Sequence, residues 1–267
     1  MTATAGPGTA ETTAVQTGAH LSARVLGMEV LDELRGILRE PTALFFSVLM
    51  PVGFFALFAS MFGGGQEPSG LPVAASMLAT YGTFGVVAVV LLNPGIGVAE
   101  DRARGWLRVK KVSPVPIGTT LVTKVIATVP YAVAVLVAMT AVLFAVAGPA
   151  IDAVAWLRLV AVLLLGALPF ALLGLAVGFV ASSNAAVAIL NAVFFPMAVA
   201  SGLWFPLELM PAFIQDLAPF LPTYHLAQLA LAQLTGAGGG LVHVLALALT
   251  AVVGGGLAAA AYHNLRV

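Results

Sequence analysis

Six long stretches of mostly apolar residues restrict the fold of this 267-residue chain more tightly than any other feature. They run 42–62, 72–99, 120–147, 157–181, 185–204 and 241–262, and about 20 apolar residues are enough to cross the hydrocarbon of a bilayer. In lipid, backbone N–H and C=O groups must be paired within the protein, so only helices or a closed barrel can span. The runs do not alternate apolar with polar, which selects helices. With 61% hydrophobic and 8% charged residues, a soluble core cannot hide the apolar surface, and the surplus must face lipid. The predicted fold is an all-α integral membrane protein with six transmembrane helices. Pro41 suits the first turn of a helix, whereas Pro51, Pro94, Pro130, Pro169 and Pro196 are expected to kink their spans.

Residues 1–19 are rich in Thr, Ala and Gly with one charge, which predicts a disordered tail and not a signal peptide. In 20–40, Leu21, Val25, Met28, Leu31, Leu34 and Leu38 recur at helical spacing among charged residues. This fits an amphipathic helix lying in the membrane interface, with a solvated surface helix as the alternative. The spanning domain then covers 41–267. Arg24, Arg35, Arg39, Arg102, Arg104, Arg108, Lys110, Lys111, Lys124 and Arg266 all fall on one side if the spans alternate, against Arg158 alone on the other. Because positive residues are retained inside, both termini should be cytoplasmic. The zero formal net charge gives no case for nucleic-acid binding, and the absence of cysteine excludes disulfides and thiolate metal sites.

Residues 99–114, AEDRARGWLRVKKVSP, hold five of the eleven basic residues between the second and third spans. Read as one helix, they place Glu100 and Asp101 at an N-terminus and Lys110 and Lys111 at a C-terminus, and Ser113-Pro114 stops it. Asp101, Arg104, Arg108 and Lys111 share one face, with Ala99, Ala103, Trp106 and Leu107 towards the other. Such a helix lies parallel to the membrane, as an anchor for anionic lipid or as a knob for a cytoplasmic partner. On the opposite side, Pro206, Pro211, Pro219 and Pro222 cut 205–222 into pieces too short to span, while Trp204, Phe205, Phe213 and Phe220 favour the membrane. A re-entrant hairpin or an interfacial loop satisfies both constraints.

Within the fourth span Ala167, Ala171, Gly174, Gly178 and Ala181 form a smooth face for close helix packing. Asn184 and Asn191 share a face of the fifth span, with Ser201 near its end; they serve interhelical hydrogen bonding or line a substrate path. The spans carry no Asp or Glu away from their ends, so the usual apparatus of proton coupling is missing. There is no G-x-x-x-x-G-K-[ST] loop, G-x-S-x-G elbow or H-E-x-x-H pair, and His20, His225, His243 and His263 are scattered in the sequence.

Glu100, Arg102, Gly105 and Pro114, with Lys124 opening the next span, resemble the E-R-x-x-G-x-L-x-x-x-x-x-S-P pattern of type-2 ABC exporter permeases. SGLWFPLELMPAFIQDLAPFLPTYH, residues 201–225, resembles the same family's sG-x-x-F-P-x-x-x-x-P segment followed by Pro-x-x-Y. The resemblance runs from the interfacial helix to Arg266. It implies six spans per subunit, a cytoplasmic coupling helix at 99–114, an extracellular re-entrant segment at 205–222, and location in a bacterial plasma membrane. It further implies a separate ABC ATPase subunit that binds ATP and Mg, and a second permease subunit, identical or not. This chain itself would carry no cofactor and no catalytic residue. In the coupling segment Trp106 and Leu107 would seat in a groove on the ATPase, Glu100, Arg102, Arg104 and Arg108 would orient it, and Gly105 would permit close approach. The antibiotic and drug-resistance branch fits best, with a hydrophobic or amphiphilic cargo; export of a lipid-linked glycan is the alternative within the class. An ATP-independent carrier or channel, and an intramembrane enzyme, are the readings from other classes.

Overall fold

The computed structural model describes residues 27–28, 30–32, 35, 48–67, 70–105, 117–236 and 240–264. Its helices, in chain order, are α1 (Met50–Phe62), α2 (Val73–Ala103), α3 (Ile117–Ile126), α4 (Val129–Ala147), α5 (Ala153–Gly166), α6 (Leu168–Val180), α7 (Ser183–Ala200), α8 (Ala212–Leu217), α9 (Pro222–Thr235) and α10 (Gly240–His263). Short 3-10 turns at Leu207–Leu209 and Ala218–Phe220 flank α8. Among the described residues the one trace of β-structure is an isolated bridge between Gln66 and Pro72. The molecule is therefore all-α.

Five helical segments are long and apolar enough to cross a membrane: Val73–Ala103, Gly118–Ala147, Ala153–Val180, Ser183–Ala200 and Gly240–His263. They coincide with the second to sixth apolar stretches of the sequence. The first stretch is represented by the 13-residue α1, and its 42–47 portion lies outside the described residues, as does most of the amphipathic segment 20–40 and all of 1–19.

Proline placement explains the breaks. A proline has no N–H and its ring crowds the carbonyl four residues back. Pro130 and Pro169 stand in the first turns of α4 and α6, and the preceding helices stop at Ile126 and Gly166. Pro51 likewise lies in the first turn of α1, which directly follows two residues, Val48 and Leu49, in π-helical conformation. Pro94 and Pro196 lie inside α2 and α7, which run through them. At α5 the start is set by a side chain: Asp152 accepts hydrogen bonds from the N–H groups of Val154 and Ala155, both at 2.8 Å.

The helix α2 is the axis of the bundle, packed against α1, α4, α6, α7 and α9. At 1.5 Å per residue its 31 residues reach about 46 Å, well beyond a hydrocarbon core of about 30 Å. Successive spans run in opposite directions. The end of α1 meets the start of α2 where Gly63 lies against Ala74, and the far end of α2 meets α3 and the end of α6, which in turn meets the end of α10 through Phe179 and Tyr262. The core between them is aromatic near Trp204, with Phe84 stacked on Phe194 at 5.2 Å and Phe54 on Trp204 at 5.7 Å.

Between α7 and α10 the sequence suggests non-spanning pieces, and the structure adds a 14-residue helix, α9, that the apolar pattern does not single out. It packs against α2, α5 and α10. Its first turn is tied to the end of α7 by a buried hydrogen bond between the Ser201 and Thr223 hydroxyls. Further along, the rings of His225 and His243 pair through their Nδ1 atoms at 2.8 Å, and His225 Nε2 is 2.9 Å from the Pro219 carbonyl. The carbonyl can only accept, so Nε2 of His225 carries a proton; in the neutral pair Nδ1 of His225 then accepts from His243. The exposed rings of Phe213 and Phe220 project from the segment before α9.

Candidate functional site: the basic end of α2

The sequence places Glu100 and Asp101 at the start of a new helix. The structure corrects this: both belong to the last turn of α2, which continues without interruption to Ala103. The reason is hydrogen bonding and one glycine. Arg104 N–H reaches back to Glu100 O at 2.9 Å, Gly105 N–H to Arg102 O at 3.0 Å, and Gly105 adopts φ +71°. A left-handed residue just past the last turn ends a helix, and only glycine takes that conformation without steric cost. Gly105 thus terminates α2, while the position its Cβ would occupy meets nothing within 4 Å among the described residues.

Two carboxylates in a C-terminal turn oppose the helix dipole, and each has a cation beside it. Glu100 pairs with Arg104 at 3.2 Å on the surface, a contact worth little in water. Asp101 reaches Lys124 of α3 at 2.9 Å, with side chains only 16% and 6% exposed. That pair is a buried tie between the second and third spans.

Arg102 turns the other way. Its Nη1 donates to the carbonyls of Gly178 and Ala181, each at 2.9 Å. These lie at the C-terminus of α6, where carbonyls lack intrahelical partners and a cation is favoured by the dipole. The guanidinium therefore caps one helix while belonging to another. Trp106, Leu107, Arg108 and Pro114 lie outside the described residues.

Next to this cap, Ala167, Ala171, Gly174 and Gly178 of α6 and its preceding residue are buried, and the two glycines lie against α2. A Cβ on Gly174 would collide with the carbonyl of Leu91, one on Gly178 with that of Gly95, and one on Gly95 would come within 2.7 Å of Gly174 O. Backbone lies on backbone here, so no side-chain movement can make room.

The polar residues of the fifth span do not gather. Asn184 is exposed at the start of α7. Asn191 donates back to Val187 O of its own helix at 2.8 Å, and Ser201 is buried against Thr223. The Asp101–Lys124 pair and the Arg102 cap are the contacts at this end that sequence patterns alone did not pair. The one available signal was Lys124 itself, a charge just inside an otherwise apolar run.

Sequence comparison covers the chain from before α1 to the end of α9. The family described as ABC-2 type transporter matches residues 30–235. The protein named "Putative transport permease YvfS" of Bacillus subtilis (strain 168) is 26% identical over 206 residues, covering 75% of this chain and 82% of that one.

Proposed function

We propose, since the chain belongs to the ABC-2 type transporter family, that it is the membrane permease subunit of a bacterial ABC exporter. In this reading it forms six spans, α1 with the residues before it being the first, and works as a dimer of permease subunits on two ATPase subunits that bind ATP and Mg. The basic end of α2 and both termini face the cytoplasm. The segment from Phe205 through α9 is the re-entrant hairpin of the outer side, longer than the 205–222 stretch because α9 forms its returning arm. The cargo is hydrophobic or amphiphilic, such as a drug or antibiotic.

The observation that carries the proposal is the way residues 99–105 are braced. The basic segment leaves the membrane from a helix end tied to α3 by Asp101–Lys124 and to α6 by Arg102. A push on that segment by an ATPase reaches three spans together, which suits a coupling element better than a lipid anchor. Trp106 and Leu107 supply the apolar contact. The test is Trp106→Asp, a change outside every span: membrane insertion should match the parent, while co-purification of the ATPase encoded with it, or cargo-stimulated ATP hydrolysis, is lost. Parent-level association and stimulation would reduce the segment to a lipid anchor.

A further inference from the structure

Near the outer end of α1 and α2, a cavity of about 560 Å3 opens between these helices, the turn after α7 and α9. We propose that it binds amphiphilic organic cations; this rests on the exporter reading and gives its cargo a charge. Aromatic side chains form much of its wall: Phe58, Phe62, Tyr81, Trp204 and Phe205. Phe58 meets Phe205 edge to face at 5.5 Å and Tyr81 at 6.0 Å, so the rings form a connected aromatic wall, a surface that attracts positive groups. Two carboxylates, Glu67 and Glu208, also line the cavity, and among the described residues no Lys or Arg does. Among the described residues neither takes part in an ion pair. An anion entering would meet two like charges in a site partly shielded from water, whereas a cation is attracted by both.

A separate observation points to a missing ligand. Ser76 lines the same cavity, is only 8% exposed, and its hydroxyl, like the Trp204 N–H, has no hydrogen-bond partner among the described residues. Buried hydroxyls are ordinarily satisfied, because leaving one unpaired costs its desolvation. A protonated amine bound among the rings would donate to it. Val73, Met77, Leu207, Ala227 and Leu231 add the apolar wall that the body of an amphiphile requires.

The full chain in nanodiscs of zwitterionic phosphatidylcholine provides the test, with empty discs subtracted. Tetraphenylphosphonium and tetraphenylborate have the same shape and opposite charge. Saturable binding of the phosphonium and none of the borate is expected, with affinity about tenfold weaker in the Glu67→Gln/Glu208→Gln variant. Ser76→Ala should weaken dibenzylammonium, which has N–H groups to donate, and leave the phosphonium unchanged. Equal binding of the borate, an unaltered affinity in the double carboxamide variant, or displacement of the phosphonium by maltose would overturn the proposal, the last by reassigning the cavity to a glycan. The two carboxylates are half-buried and exposed, and matching unfolding temperatures verify that the variants are folded. Binding needs no ATPase, so a failure here is separate from a failure of ATPase association, which would strike the exporter reading itself.

Discussion

At the scale of single residues, the buried Asp101–Lys124 pair makes a strong claim about stability. Taking one charge from such a pair leaves the other desolvated without its counterion, a loss of about 3 kcal/mol, whereas removing both charges relieves the penalty. Asp101→Asn and Lys124→Met should each lower the unfolding temperature of the purified chain, and the double variant should lie well above the sum of the two losses, by a coupling of about 1–3 kcal/mol. Additive losses in thermal unfolding would mean that the two side chains do not interact. Arg104→Gln, which cuts only the exposed contact with Glu100, should change stability by less than about 1 kcal/mol. Neither Asp101–Lys124 nor the Arg102 cap was legible in the sequence. Periodicity put Asp101 on a face with Arg104 and Arg108, a local statement that holds only if a new helix begins at Ala99. The true partners are 23 and more positions away in the chain and follow from which spans touch. What the sequence did offer was the concentration of charge at this one end.

At the scale of helices, the α2–α6 contact is set by glycine. Gly174→Ala and Gly178→Ala each place a methyl group against a backbone carbonyl of α2, and overpacking of this kind costs typically 1–3 kcal/mol, with more where backbone must separate. Gly256→Ala in α10 meets nothing within 4 Å; there the gain in helix propensity should leave stability equal or raise it by a few tenths of a kcal/mol. Unfolding temperatures of the three variants in detergent are the check, and similar values for all three would contradict the close approach. Elements of this bundle differ in how far sequence reveals them. Pro130 and Pro169 mark helix restarts because their chemistry is local. By contrast α9 contains Tyr224, His225, Gln228 and Gln233, which dilute its apolar pattern. Its burial depends on surfaces offered by α2, α5 and α10, and no window of residues 222–235 carries that information.

At the scale of the whole molecule, the unequal ends of the bundle fix an orientation that can be tested. The contacts of α2 with α3 and α6, and of α6 with α10, gather Arg102, Arg104 and Lys124 at one end, while Gln66, the aromatic cavity and the segment before α9 occupy the other. Positive residues resist translocation, so the Arg104 end should stay inside. The chain has no cysteine, which lets single thiols report without background. Gln66 and Arg104 are both exposed, and Arg104 contributes only a weak surface pair, so Gln66→Cys and Arg104→Cys should insert normally. In intact cells a membrane-impermeant maleimide should label Gln66→Cys and spare Arg104→Cys, and permeabilising the cells should bring the second to the level of the first. The reverse pattern would place the aromatic cavity in the cytoplasm and the basic segment outside, beyond reach of any ATPase, and coupling through 99–114 would then be impossible. Labelling of both thiols before permeabilisation would put both ends of α2 on the same side, contradicting its assignment as a span.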